Sequence, residues 1–227
     1  RNLFIPSKVR LMQGNPITNT NNLFDISISP KNRFFMSPAN CKGLILCKKD
    51  EDSENHEILV CAKNNITTAI IPPYVTSINS FAFYKCESLE SIMIPNDSNL
   101  RTIEEFAFYR TSIDYIRIPK TVRKIGTGAF GYCQKLSTVI IPTDSELTTI
   151  EKSAFSQTLI NNLYIPSNTR YLEKGWLNGF NILGAINVSA ENQYFKYLDE
   201  SKQIIVGRKD VENDDYDEIG FADRLIK

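Results

Sequence analysis

The sequence contains a single histidine, His56, lying between two cysteines, Cys47 and Cys61. An imidazole beside a thiol can take its proton and leave a thiolate nucleophile, the chemistry of a Cys–His pair. Metal ligation by the same side chains is disfavoured, because neither Cys-x-x-Cys nor His-x-x-x-His spacing occurs. Two acidic runs offer a second chemistry, EDSE at 51–54 and DVENDDYDE at 210–218. Clustered carboxylates can hold calcium weakly, but no Asp-x-Asp-x-Asp-Gly pattern is present. Both runs therefore read as solvated hairpin tips, and His56 as a solvated loop residue. With ten glycines and no G-x-x-x-x-G-K-[ST] run, a phosphate-cradling loop is missing too. Three N-x-[ST] triplets, at Asn65, Asn96 and Asn187, are N-glycosylation acceptor candidates if the chain is secreted by a eukaryote. Asn96, in a turn just after a strand, is the most accessible of the three; Asn187, on a strand, is the least plausible. These residues lead to no expected catalytic set, metal or cofactor.

The elements that carry them are repeats. An Ile-Pro step falls at Pro72, Pro95, Pro119, Pro142 and Pro166, at intervals of 23, 24, 23 and 24 residues. Around it returns the phrase Leu-x-x-Ile-x-Ile-Pro-x-x-Val-x-x-Ile-x-x-x-Ala-Phe-x-x-Cys/Thr. A fixed period of roughly 20–29 residues is that of a leucine-rich-repeat solenoid. Two unit types alternate and make one module of 47 residues: Cys86 and Cys133 hold the last position in one type, Thr111 and Thr158 in the other. Pro reaches the next Ile in six residues in one type (Pro72 to Ile78) and eight in the other (Pro95 to Ile103, through NDSNLRTI). A longer echo has an offset of 160: NLFIPSKVR from Asn2 matches NLYIPSNTR from Asn162, and DISISPKNRFF from Asp25 matches AINVSAENQYF from Ala185. The expected organisation is a single solenoid over 1–227, with an irregular module at 1–60, regular repeats at 61–184 and a second irregular module, truncated, at 185–227.

Within a unit, Leu89, Ile92 and Ile94 alternate with Ser91 and Met93, a period of two that predicts a strand. Pro95 ends it, having no N–H for a ladder. The Ala-Phe pairs (Ala82–Phe83, Ala107–Phe108, Ala129–Phe130, Ala154–Phe155) predict close approach at Ala and an internal spine of Phe rings; Trp176–Leu177 changes the spine's character. Neighbouring strands should pair in a parallel sheet, with little helix beyond a turn at each Ala-Phe. GLILCKK and HEILVCAK, around the KDEDSEN loop, predict an extra β-hairpin, repeated in QIIVGRKDVENDDYDEIGFA. The fold class is thus a β-rich solenoid, a right-handed leucine-rich-repeat coil whose parallel sheet forms a concave face.

Charge narrows the partners. Lysine plus arginine number 26 and aspartate plus glutamate 26, with no basic stripe, so nucleic acid is not an expected partner. No apolar run approaches the roughly 18 residues of a membrane span, so a membrane would be reached only through other parts of a parent chain. The sequence opens inside a repeat (RNLFIPS) and stops where a new Ile-Pro unit is expected, which reads as a segment of a longer protein. Five cysteines are too few and odd for a disulfide scaffold. Cys86 and Cys133 read as buried small hydrophobes, and a Cys47–Cys61 bridge stays open.

The units SIMIPNDSNLRTIEEFAFY and TVIIPTDSELTTIEKSAF resemble BspA-type leucine-rich repeats, closely over about 65–180 and more loosely elsewhere. The NDSNL and TDSEL turns are more similar to the protist members than to the bacterial ones. The resemblance implies a surface protein of mucosa-associated bacteria or protists, adhesion, and binding of host matrix proteins such as fibronectin. Strand register supplies the candidate residues: Ile70, Met93, Arg117, Ile140 and Tyr164 occupy the middle outward column, with Tyr115 beside them. Apolar and aromatic side chains gathered outside a core mark interaction sites. The expected function is a non-catalytic binding module at the cell surface; the alternative is a stiff spacer with no ligand of its own.

Overall fold

The computed structural model describes residues 2–12, 25–41, 43–173, 175–177, 186–197, 205–210 and 215–218. The chain is a β-solenoid of about seven turns with parallel strands, and no helix occurs among the described residues. It opens with β1 (Asn2–Ile5) and β2 (Asp25–Ile28), paired in parallel, then β3 (Phe35–Met36), β4 (Leu44–Cys47) and β5 (Ile58–Ala62) in antiparallel succession. The regular coils then alternate three-residue and two-residue strands. The former are β6 (Thr68–Ile70), β8 (Ser91–Met93), β10 (Tyr115–Arg117), β12 (Thr138–Ile140) and β14 (Leu163–Ile165). The latter are β7 (Ser77–Ile78), β9 (Thr102–Ile103), β11 (Lys124–Ile125), β13 (Thr149–Ile150) and β15 (Tyr171–Leu172). The rest are β16 (Ile186–Val188), β17 (Phe195–Tyr197), β18 (Ile205–Asp210) and β19 (Asp215–Glu218).

Three lines of hydrogen bonds tie each coil to the next. The two-residue strands form an unbroken parallel ladder, continued by the hairpin into one sheet of order β15-β13-β11-β9-β7-β5-β4-β3. The Ala-Phe corners form a second line, with Phe83, Phe108 and Phe130 N–H donating to the carbonyls of Ala107, Ala129 and Ala154 at 2.7–2.8 Å. The third line, on the three-residue strands, differs from the continuous sheet expected. Those strands pair only two by two, β6 with β8, β10 with β12, and β14 with β16. Each such pairing joins residues 23 apart, Ile70 with Met93, Arg117 with Ile140 and Tyr164 with Asn187. Between pairs one backbone bond survives, Ser112 N–H to Leu89 O (3.0 Å) or Leu159 N–H to Leu136 O (2.9 Å). The longer unit carries its two extra residues in the turn after Pro95, but it is one residue shorter just before β10 (Thr111 to Ile113 against Cys86 to Leu89), and there the strands fall out of register. The 47-residue sequence module is therefore also the hydrogen-bonding unit of this face.

The alternating turns have a physical origin. In the long units, buried Ser98 and Ser145 accept through Oγ from the N–H of Leu100 and Leu147, both at 3.2 Å, a local turn closed by a hydroxyl. The short units answer it: Thr121 Oγ1 donates to the carbonyls of Ser98 (3.0 Å) and Leu100 (2.7 Å), and Asn168 Nδ2 to that of Ser145 (2.7 Å). Each unit type thus satisfies backbone groups that the other leaves open.

Phe83, Phe108, Phe130 and Phe155 stack in sequence at centroid spacings of 4.8, 5.1 and 5.4 Å, nearly parallel, and all are fully buried. Trp176 ends the run edge-on to Phe155, at 6.4 Å and 77°. Cys86, Thr111, Cys133 and Thr158 are all buried, as the repeat position required. Cys133 Sγ also donates to Phe108 O at 3.0 Å, and Thr158 Oγ1 to Phe155 O at 2.9 Å, so the column does more than fill space.

The hairpin β4–β5 forms as expected and divides two cores. Leu44, Leu46, Leu59 and Ala62 join the main core, while Ile45, Val60 and Cys61 join a smaller one with Ile5, Ile26 and Phe35. A bulge between Ile45 and Leu46 in the ladder sets Val60 and Cys61, successive residues, toward the same core. The second irregular module repeats the order as β17-β18-β19.

Candidate binding face

The outward column stands on strands whose middle residue points inward. In β6, β8 and β10 the inward residues Ala69, Ile92 and Ile116 are buried, while their neighbours are exposed. Ile70 is 48%, Met93 60% and Tyr115 43% exposed, large values for apolar side chains. Arg117 is exposed, and Ile140 and Tyr164 are half-buried. The ladder brings Ile70 beside Met93 and Arg117 beside Ile140, and sets Tyr115 opposite Thr138. Tyr164 stands beside Asn187, where the column turns polar. Phe4, at 58% exposure, continues the apolar column in the first module, beside Ser27. Asn65 and Asn96 both lie exposed in turns, and Asn187 lies exposed on β16.

A second feature, half-buried except at Tyr132, was not read from the sequence. Phe81, Tyr84, Phe106, Tyr109 and Tyr132 form an aromatic ribbon beside the Ala-Phe corners, with Tyr84 stacked on Tyr109 at 5.3 Å and Phe81 near Phe106 at 5.5 Å. Lys85 and Arg110 lie over the rings of Tyr84 and Tyr132 at 5.2 and 5.6 Å. The signal was present in the flanks of the pair, FAFY, FAFY and GAFGY. The ribbon sits on a backbone with positive φ at Phe81, Lys85, Phe106, Arg110 and Tyr132, each near +50 to +60°. L-residues there cost about 1–2 kcal/mol each. At Gly128 the side chain is absent because the Phe106 ring occupies its place; a Cβ would lie 2.4 Å from Phe106 Cε1.

The chemistry candidates take definite places. His56 is not the solvated loop residue expected: it is half-buried, and its Nε2 is sealed from solvent without a partner. Burial, then the charge of Lys48, holds its pKa below the usual imidazole range, while a backbone hydrogen bond at Arg33 opposes them. The hairpin loop brings the ring beside Lys48, just past the end of β4, and against the Arg33 backbone. The register sets Cys47 opposite Ile58 and Cys61 opposite Ile45, and all five cysteines are free thiols. Burial pushes Cys47 up to about 11 and Cys61 to about 12, so both stay protonated at neutral pH, the opposite of an activated thiolate. Among the described residues no group of three or more His, Cys, Asp or Glu side chains is placed to hold a metal ion. No helix among them is long and apolar enough to cross a membrane.

The family described as BspA type leucine rich repeat region matches residues 59–182 in six copies. A search of curated proteins finds no match. Among solved structures, the pneumococcal vaccine antigen PcpA is similar at TM-score 0.58 and 19% identity, over 76% of this chain and 53% of that one. A leucine rich cell surface protein from Faecalibacterium prausnitzii is similar at 0.52 and 19%, over 85% and 62%. The T. pallidum leucine rich repeat protein is similar at 0.51 and 21%, over 62% and 65%. The present chain thus spans less than two thirds of each of these proteins, and at such identity the likeness is one of fold.

Proposed function

The chain belongs to the BspA-type leucine-rich repeat family, and from that premise we propose that it is a non-catalytic adhesion module at the cell surface, binding a host matrix or cell-surface protein of the fibronectin kind. Ile70, Met93, Tyr115, Arg117, Ile140 and Tyr164 carry the contact. The observation behind this reading is the exposure of Ile70, Met93 and Tyr115 on strands whose inward partners are buried. A folding chain gains nothing from apolar side chains left in water, whereas Tyr, Met and Arg are the residues that anchor protein interfaces. The cell surface protein among the similar folds supports the location. The test is binding of the chain to immobilised fibronectin and to epithelial cells, beside Met93→Asp/Tyr164→Ala. Binding by the parent chain that this variant loses is expected; equal binding by both would remove the face from the proposal. A second reading, a stiff spacer without a ligand, is favoured by the unbroken Phe83-to-Phe155 stack, and predicts no binding by either protein.

A further inference from the structure

The two copies of the 160-residue echo build the same cleft twice. In the first, a cleft of about 500 Å³ is lined by Ser7, Lys8, Arg10, Lys31, Arg33 and Phe34. In the second, one of about 440 Å³ is lined by Ser167, Asn168, Arg170, Glu191, Gln193 and Tyr194. Every lining residue of the second is its counterpart in the first displaced by 160 positions. The walls are the segments after paired strands, β1 with β2 and β14 with β16, and one asparagine welds them together in each copy. Asn32 Nδ2 donates to the carbonyls of Pro6 (2.7 Å) and Val9 (3.1 Å), while its Oδ1 accepts from Phe34 and Phe35 N–H (2.8 and 2.9 Å). Asn192 repeats this with Pro166 and Thr169 (2.7 and 2.9 Å) and with Tyr194 and Phe195 (2.8 and 2.9 Å).

With the backbone held alike, side chains alone decide what each cleft accepts. The first gathers Lys8, Arg10, Lys31 and Arg33 from two segments; the second has Arg170 facing Glu191. Among the described residues, the one carboxylate ion-paired to a cation of the first cleft is Glu51, on Arg10. Both side chains of that pair are about two thirds exposed, at 65% and 67%, so water screens it and a ligand can displace it. Arg10 also lies over the Phe34 ring at 5.3 Å, which holds one guanidinium at the cleft wall.

We infer that the first cleft binds a sulfated saccharide and that the second does not. Guanidinium forks and ammonium groups converging from two walls suit oxyanions, which Arg engages through paired N–H donors. The volume falls within the roughly 300–1,000 Å³ of small-ligand sites, room for a short segment of a chain. Nucleic acid needs a longer basic track and free aromatic faces for its bases. Here four cations converge on one cleft rather than along a track, and Arg10 covers the Phe34 ring. This site is separate from the outward column and does not rest on it.

The test is calorimetric titration of the 227-residue chain with a heparin-derived tetrasaccharide at several salt concentrations. Its desulfated form, inorganic sulfate and a single-stranded oligonucleotide are titrated beside it. Lys31→Glu/Arg33→Gln installs the second module's residues in the first cleft; Asn168→Lys/Glu191→Lys/Gln193→Arg does the reverse. The expected result is binding that weakens with salt, disappears on desulfation, and falls at least about tenfold in the first variant with its melting curve unchanged. The reverse variant should gain affinity. Unchanged binding by the first variant overturns the inference. If that variant melts early, the reverse variant decides, and no gain overturns it. Inorganic sulfate binding as tightly as the tetrasaccharide, or an oligonucleotide binding more tightly, also overturns the saccharide assignment.

Discussion

The two strand-bearing faces of the solenoid come from the same coils, yet they are built differently. The two-residue strands run as an uninterrupted ladder from β5 to β15, and their outward residues are Ser77, Thr102, Lys124, Thr149 and Tyr171. The three-residue strands pair only within each 47-residue module, and carry Ile70, Met93 and Tyr115 outward. The first face is stitched by polar side chains that bridge coils: Lys124 Nζ reaches Glu151 at 3.0 Å and Glu104 at 3.4 Å, and Thr102 Oγ1 donates to Ser77 Oγ at 2.9 Å. The second face has fewer backbone bonds and more exposed apolar area. The difference teaches that continuity and recognition are separated around the coil. One side holds the stack together, and the other is free to vary what it presents.

The largest effect should come from the element both faces share. Phe130→Ala removes a fully buried ring stacked between Phe108 and Phe155 and should cost about 3–5 kcal/mol in a denaturant titration. A cost below about 1 kcal/mol would mean that the faces do not depend on a common spine. Gly128→Ala should cost roughly 2 kcal/mol, because its φ is +58° and its Cβ would meet the Phe106 ring. Ser153→Gly, at the same position one coil later with φ of +56°, should instead stabilise by about 1 kcal/mol. Because the two positions share nearly the same φ, the excess of the Gly128→Ala cost over the Ser153→Gly gain reads the contact with the Phe106 ring, and equal magnitudes would leave backbone strain as the whole effect.

The ladder face should also show a pH signature. Burial pushes Glu151 up, but the hydrogen bonds from Lys124 and Thr127 outweigh it and hold the carboxyl below its usual value of 4.5. A depressed carboxylate stabilises the fold above its unfolded pKa, and the contribution is lost as pH falls through the folded one. Burial pushes Lys124 down, but the carboxylates of Glu151 and Glu104 outweigh it and raise it above 10.5, so its contribution is full below 10.5 and is lost as pH rises through the raised value. Glu151→Gln should therefore lower stability by about 0.5 kcal/mol at neutral pH, with the difference from the parent closing below pH 4.5. A difference that persists at low pH would assign Glu151 a role independent of charge. The smallest stability effect is expected on the other face: Met93→Asp should change it by less than about 1 kcal/mol. A larger loss would mean that Met93 is structural and would blur the contrast between the faces.

Much of the fold was legible because each feature is written several times. The Ile-Pro period, the Ala-Phe spine and its change at Trp176, the buried Cys/Thr column and the β4–β5 hairpin all follow from local spacing. The outward column was legible too, since a period of two assigns sides without knowing the neighbours. Other features were not. The broken ladder depends on how one coil's length sets its register against the next. The burial of His56 depends on the hairpin loop bringing its ring against the Arg33 backbone, and the aromatic ribbon on left-handed residues beside each Ala-Phe pair.

The sequence by itself determined the solenoid, its period and its core, because a repeated apolar pattern has one economical way of hiding itself: by stacking. It also held the echo at 160 residues, SKVR against SNTR and KNRFF against ENQYF, in which the exchange of charge is visible. Only the tertiary structure decided that Lys8 and Arg10 face Lys31 and Arg33 across one cleft. A charge count of zero hides a local excess when its members lie on two turns, and the pairing of β1 with β2 brings those turns together. Asn32 then fixes the separation of the walls through bonds to backbone carbonyls and amides, which no reading of side-chain types along the chain contains.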